Sequence, residues 1–315
     1  MVDDALPAGI IGFGRVGAAF GGALAQAGHP VAALAARSEA SRERAELVLP
    51  GVDIVSAAAT AERAGLVFIT VRDDGIGQMA EDLADRWRPG QIVAHASGAL
   101  GADVLKPVTR AGGIALAVHP AMTFTGTSLD VTRMRGAAFA VDAAPGMGPL
   151  AEALAVELGG RPFPVPGKAR PAYHAALCHA ANHLVTLIAQ ASELLRGAGV
   201  EEPAEVLGPL TRAALENALS GGNAALTGPA SRGDEATLRA HAAALAAHAA
   251  ARGALVEGRV AVGPAARFAL DTWDTYRQAA RATLRAAADL GRVPPDRLQA
   301  CEAALDTLPD AVPPV

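Results

Sequence analysis

The chain has 315 residues, 51% of them hydrophobic and 19% charged, enough apolar material for two domains and unlike the sparse, highly charged composition of a disordered chain. Its formal net charge is -5, so neither nucleic acid nor an anionic membrane surface is an expected partner. Cys178 and Cys301 are the only cysteines, which indicates no disulfide framework. The start, Met1-Val2-Asp3-Asp4, is acidic where a signal peptide is basic, and no apolar run reaches the length of about 18 residues that a membrane span needs, so a cytoplasmic protein is expected.

An apolar run from Ala8 to Ile11 leads into Gly12-Phe13-Gly14-Arg15-Val16-Gly17, which opens an alanine-rich stretch ending near Gly28. A strand that turns at Gly12 lets backbone approach a ligand at Gly14, and Gly17 allows close helix packing. The free N–H groups of the helix start then suit a pyrophosphate. All six residues are therefore candidates for dinucleotide binding. A glycine-rich turn in an ordinary α/β domain is the competing reading.

The second apolar run, Val31 to Ala36, ends in Arg37-Ser38, with Arg42 and Arg44 behind. A carboxylate at this place would hold a ribose diol and select NAD. A guanidinium and a hydroxyl instead suit a 2′-phosphate, so NADP(H) is the expected cofactor. Arg37 can also be read as a solvated strand-end charge beside Glu39.

Further apolar runs at Val52 to Val55, Leu66 to Val71, Gln91 to Ala94, Ile114 to Val118 and Ala138 to Val141 predict an α/β, doubly wound parallel sheet of the Rossmann type. A helix from Pro149 to Leu158 ends at Gly159-Gly160, and the prolines of 161–170 predict a linker. Beyond it Pro171 to Gly197, Pro203 to Ser220, Asp234 to Arg252 and Pro264 to Leu290 read as helices. The expected organisation is a nucleotide-binding domain over 1–160, an all-α substrate and dimerisation domain over 171–300, and a loosely ordered tail over 301–315.

Ligands of open parallel sheets sit beyond the strands' carboxyl ends, and three such ends are polar here. Thr70-Val71-Arg72-Asp73 would lie along the cofactor. His95-Ala96-Ser97 and His119-Pro120 follow on later strands. Hydride transfer to a carbonyl needs a group that protonates the alkoxide, which histidine suits near neutral pH. His119 and His95 are candidates for that acid, and each also reads as a strand-end histidine satisfied by backbone. On the helical side, Tyr173-His174 through Asn182-His183 forms a second polar cluster. His179 and His183 have the i, i+4 spacing of metal ligands but lack an intervening Glu and a third ligand, so no metal is expected. Asn182 can hold a carbonyl or carboxylate. Before a further helix, Thr227 and Arg232 read as an anion clamp, or Asp234 as a plain N-cap with no ligand nearby.

With these motifs in view, the chain resembles the two-domain Rossmann-like predicted oxidoreductases whose C-terminal helical half is a domain of unknown function. The carriers are the Gly12 to Gly17 turn, Val71-Arg72-Asp73-Asp74, His95-Ala96-Ser97-Gly98, His119-Pro120, Tyr173-His174, Asn182-His183, Leu226-Thr227-Gly228-Pro229 and Arg232-Gly233-Asp234. The resemblance runs from Gly9 to about Ala287. It implies kinship with 6-phosphogluconate, β-hydroxyacid and pyrroline-5-carboxylate reductases, some members being alternative ketopantoate reductases. Several relatives carry Lys on a helix with Asn four residues on. Asn182 matches, but the lysine position falls on Cys178, which moves the acid role towards His119, His95 or His174.

The expected activity is NADPH-dependent reduction of a small α-keto acid, ketopantoate to pantoate being the candidate. The substrate carboxylate would meet Ser97, Asn182, His174, Thr227 and Arg232 between the domains. Imine reduction of the pyrroline-5-carboxylate type and a non-catalytic NADP-binding sensor are the alternatives. A homodimer through the helical half is expected.

Overall fold

The computed structural model describes residues 5–252, 255–256, 259–260 and 263–306; the acidic start and the proline-rich stretch from Leu308 to Val315 lie outside them. The chain divides into two compact units, Met1–Ala180 and Ala181–Val315.

The first unit is built on seven strands: β1 (Ala8–Ile11), β2 (Val31–Ala35), β3 (Leu66–Ile69), β4 (Ile92–His95), β5 (Ile114–Pro120), β6 (Ala138–Ala143) and β7 (Arg161–Pro164). Their spatial order is β2-β1-β3-β4-β5-β6-β7. β1 to β5 are mutually parallel and wind outwards in both directions from β1. β6 runs antiparallel to β5, and β7 is parallel to β6. This is the doubly wound architecture expected from the sequence. Every residue of β1 and β3 is buried, because helices cover both faces of a parallel sheet, and so their sequences are unbroken apolar runs rather than alternating ones. Phe20 packs edge-on against Phe68 with ring centroids 4.9 Å apart and lies beside Phe139 in the same core.

Three expectations need correction in this unit. The prolines of 161–170 do not make a linker, since Arg161–Pro164 is the edge strand β7. The N–H groups of Arg161 and Val165 donate to Ala137 and Val141, whereas Pro162 and Pro164 fall on the intervening positions of an edge strand, which need no donor. Gly160 has a packing reason besides ending a helix: a Cβ there would collide with the Phe139 ring. Val52 to Val55 is not a strand. Only Leu34 and Ile54 bridge, because Ser56 immediately caps the helix Ala57–Arg63 through the Ala59 N–H. Finally, the first unit continues through helix Arg170–Leu177, so Tyr173 and His174 belong to it.

The second unit is helical, with His183–Gly197, Pro203–Gly221, Glu235–Ala251, Pro264–Asp289 and Pro295–Asp306 as its principal helices, and one short antiparallel pair, Leu255–Val256 with Arg259–Val260. Leu238, Leu284, Cys301 and Leu305 form its main buried cluster. Residues 301–306 are therefore not tail. Cys301, Ala304 and Leu305 repeat at helical spacing and are buried, which anchors the last helix. Pro171 to Gly197 is not one uniform helix either, because a π-helical turn over Cys178–Asn182 interrupts it. Each unit buries one tryptophan: Trp87, whose Nε1 donates to the Ala80 carbonyl at 2.8 Å, and Trp273.

Among the described residues no helix is long and apolar enough to cross a membrane.

Candidate active site

Gly12 turns with φ of +94°, a backbone conformation natural to glycine. A Cβ on Gly17 would collide with the Gly12 carbonyl oxygen and would lie 2.7 Å from Thr70 Oγ1. Only glycine lets the helix Arg15–Gln26 begin this close to the end of β1. Thr70 Oγ1 donates to the Gly12 carbonyl, tying the end of β3 to the turn. Gly14 is the N-cap, has no side-chain cap, and faces open space where a Cβ would be. The N–H groups at the helix start thus have no side-chain acceptor, which is the donor set a pyrophosphate fits. Arg15 is exposed and Val16 half-buried. Phe13 is buried in the core and can offer a ligand only backbone.

A cleft of about 520 Å³ runs from this turn past Arg37, Ser38, Ser41, Val71 and Arg72. The three arginines behind β2 have separate duties. Arg42 Nε donates to the Ala36 carbonyl and Arg44 to the Phe13 carbonyl, each at 3.3 Å. Arg37 is exposed and has no partner among the described residues. Ser38 caps the next helix by accepting from the Ser41 N–H, and its hydroxyl donates to Ser41 Oγ at 2.8 Å. Arg72 is exposed and pairs with Asp74 at 3.2 Å. The donors fit a phosphorylated dinucleotide.

At the end of β4, His95 is fully buried with both ring nitrogens engaged. Nδ1 accepts from the Ser97 N–H at 3.2 Å, and Nε2 lies 3.0 Å from the Gly101 carbonyl. This is the backbone-satisfied arrangement, and burial and Arg170 lower its pKa to about 4. Ser97 is likewise occupied. Its hydroxyl donates to Asp73 Oδ2 at 2.6 Å and accepts from the Ala99 and Leu100 N–H groups. Asp73, placed along the cofactor by its sequence position, thereby organises the turn after β4.

His119, at the end of β5, is half-buried. Its Nδ1 lies 3.0 Å from the Tyr173 hydroxyl, and the rings of Tyr173 and His174 stand edge-on to it. Burial, Arg170, His174 and His95 lower the His119 pKa to about 4. Near neutral pH it is an uncharged imidazole, so it can serve as the acid expected from the sequence by relaying a proton. Burial raises the Tyr173 phenol, with Arg170 opposing. Gly98 has no side chain where a Cβ would lie 2.7 Å from His174 and 2.8 Å from His119 Nε2. Tyr173 carries more of this site than its sequence context suggested. The available signal was scarcity, because the chain has two tyrosines and each hydrogen bonds a histidine, the second being Tyr276 with His241 at 2.6 Å. Cys178 Sγ lies 3.7 Å from His174 Nε2.

In the second unit, Asn182, Thr227 and Arg232 are exposed. Asp234 is the N-cap of Glu235–Ala251, accepting from the Thr237 N–H at 3.1 Å.

A Rossmann-like domain model matches residues 2–120, and the domain of unknown function DUF2520 matches residues 137–255. The chain thus joins a Rossmann-like N-terminal domain to a DUF2520 C-terminal domain, as its motifs imply. Among solved structures, BF3122 of Bacteroides fragilis, named as a candidate NADP oxidoreductase, superposes with a TM-score of 0.69 at 20% identity over 89% of this chain and 98% of its own. TM1727 of Thermotoga maritima gives 0.58 at 20% identity over 90% and 100%. An imine reductase of Myxococcus stipitatus in complex with NADP+ gives 0.57 at 15% identity over 91% and 94%. At these identities the likeness establishes the fold. No curated protein sequence matches the chain.

Proposed function

We propose that the protein is an NADPH-dependent reductase of a small α-keto acid, with ketopantoate, reduced to pantoate, as the candidate. The observation that carries this reading is the hydrogen-bonded Tyr173 and His119 pair at the carboxyl end of the same sheet whose glycine turn opens the nucleotide cleft, where ligands of such sheets bind. Arg37 and Ser38 support NADP(H) over NAD(H), and the solved relatives named for NADP agree with it. The cofactor would supply a hydride to the carbonyl carbon.

The chain's own residues then complete the reduction. His119 Nε2–H gives its proton to the developing alkoxide while Nδ1 takes the Tyr173 hydroxyl proton; the Nδ1 proton then returns to the phenolate as Nε2 takes one from solvent. The relay changes the tautomer of His119 without charging it, which is the route open to an imidazole of low pKa.

Cyclic imines of the pyrroline-5-carboxylate type are the second reading. The neutral His119 favours it, since a cationic iminium needs no proton at the reacting atom. NADPH consumption with the purified protein distinguishes the two. A kcat/KM with ketopantoate on the order of 10⁴ M⁻¹s⁻¹ or above supports the keto-acid reading. Turnover of a cyclic imine alone replaces it with imine reduction, and silence across both classes with intact NADPH binding points to a sensor.

We further propose a homodimer formed by the helical half. In the 19-residue helix Pro203–Gly221 only Pro203 is buried, and Val206, Leu210 and Leu219 stand exposed, as does Val185 on the preceding helix. Most helical stability in proteins comes from packing of an apolar face, and a second copy would cover these apolar positions.

A further inference from the structure

Arg170 is the largest fully buried side chain of the described residues. Its guanidinium donates to the carbonyls of Ser97 at 2.8 Å, Ala117 at 3.2 Å and Ala140 at 2.8 Å. Its Nε has no hydrogen-bond partner among the described residues. No carboxylate pairs with it there: the acid that acts on it, Asp142, instead accepts from the Ala102 N–H at 2.8 Å through Oδ2. A buried cation without a counter-ion is costly, and arginine does not escape the cost by losing its proton. A neutral donor would satisfy these carbonyls without burying a charge, so the charge itself calls for an explanation.

The sheet register supplies one. Ala117 is the cross-strand partner of His95, and Ala140 is the cross-strand partner of His119. Ser97 follows His95 by two residues and begins the turn that leads to Gly98 beside His119 Nε2. The guanidinium therefore holds the backbone flanking both histidines.

We propose that Arg170 is the positioning residue of this site: by tying the turn after β4 to the backbone of β5 and β6 it orients His119 so that Nδ1 receives the Tyr173 hydroxyl. This rests on the reading of His119 and Tyr173 as the proton relay. Burial is the first cause that keeps His119 neutral, and the clamp adds to it. The charged and titratable groups that bear on the two histidines are Arg170, Asp73 and Asp142 at His95, and Arg170, His174 and His95 at His119, and Arg170 is the fixed cation among them. Its charge opposes an imidazolium at His119 and at His95 and favours a phenol ready to give up its proton at Tyr173. A purely structural tie would need the hydrogen bonds alone.

Arg170→Met and Arg170→Lys separate these roles in the full-length protein. Titration of His119 followed by NMR should place the wild-type midpoint near 4. In Arg170→Met it should rise by about one pH unit or more, and kcat should fall about tenfold or more, while the Kd for NADPH stays within about twofold. In Arg170→Lys the retained charge should keep the midpoint low, while loss of the planar fork still lowers kcat. An unchanged His119 midpoint in Arg170→Met overturns the proposal, as does a kcat at wild-type level in either variant. Should Arg170→Met not fold, Arg170→Lys decides alone through its kcat and His119 midpoint. If the wild type proves to have no reductase activity, the relay reading fails, and the His119 midpoints still test the clamp.

Discussion

His119 and Tyr173 lie 54 positions apart in sequence, yet the imidazole Nδ1 stands 3.0 Å from the phenol oxygen, with the two rings nearly perpendicular. The relay requires the imidazole neutral and the phenol protonated. His119 is neutral above about 4, and burial keeps Tyr173 protonated beyond the ordinary tyrosine range. The reductive rate should therefore be level through neutral pH, fall on the acid side as His119 gains a proton, and fall on the alkaline side as Tyr173 loses one. Tyr173→Phe keeps the ring but removes the hydroxyl. Its turnover should drop about a hundredfold, with NADPH affinity unchanged and the alkaline limb gone from the pH profile. An undiminished rate in that variant would remove Tyr173 from the mechanism.

Arg37 is the arginine behind β2 that braces no carbonyl, unlike Arg42 and Arg44. Charge-assisted hydrogen bonds to a phosphate are strong, so Arg37→Ala should weaken NADPH binding roughly tenfold to a hundredfold. NADH binding should change little. Calorimetric titration with both cofactors provides the comparison, and equal losses would make Arg37 structural.

Asp130 is buried and accepts from the Thr125 N–H, the Thr125 hydroxyl and the Gly126 N–H. Burial alone would raise its pKa, but the bonds from Gly126 and Thr125, with Arg133 nearby, outweigh it and hold the carboxyl below its usual range. A depressed folded-state pKa contributes stability that is present above the unfolded value of about 3.9 and is lost as pH falls through the folded value. Gly126 rests against Arg15 and Arg44, where a Cβ would lie 2.9 Å from Arg15 Cγ, so this loop braces the glycine turn. Asp130→Asn should cost about 1 to 3 kcal/mol at neutral pH. Melting curves of variant and wild type should converge as the medium is acidified through the folded pKa. A gap that persists in acid would show that the carboxylate charge is not its source.

Charged replacements at Val206, Leu210 and Leu219 test the proposed dimer. Light scattering after size exclusion should give a dimeric mass for the wild type and a monomeric mass for a Leu210→Glu, Leu219→Glu protein. A wild-type monomer, or a variant that remains dimeric, places the contact elsewhere or removes it.

The parts of the fold that could be read in advance are those in which local sequence and tertiary demand coincide. β1 must be an apolar run because it is buried on both faces, and a backbone that receives a pyrophosphate must be glycine, so the first strand and turn are written in adjacent residues. β7 was hidden because proline argues against strands in general, and only its edge position makes Pro162 and Pro164 harmless. Val52 to Val55 has strand composition, but the cap at Ser56 leaves no room to extend. Arg170 closes the stretch 161–170 that reads as a linker, and nothing local says that its guanidinium will reach the carbonyls of Ser97, Ala117 and Ala140. The union of Tyr173 with His119 is likewise a product of topology, which periodicity along one helix cannot express.

Trp87 and Trp273 are the chain's two tryptophans, one buried in each unit and each only 5% exposed. The molecule thereby carries an intrinsic fluorophore in either half. A Trp273→Phe protein should emit from Met1–Ala180 alone and a Trp87→Phe protein from Ala181–Val315 alone, each shifting to the red when its own surroundings become wet. Denaturant titrations of the pair would then show whether the halves melt together or in sequence, and added NADPH should delay the Trp87 transition first.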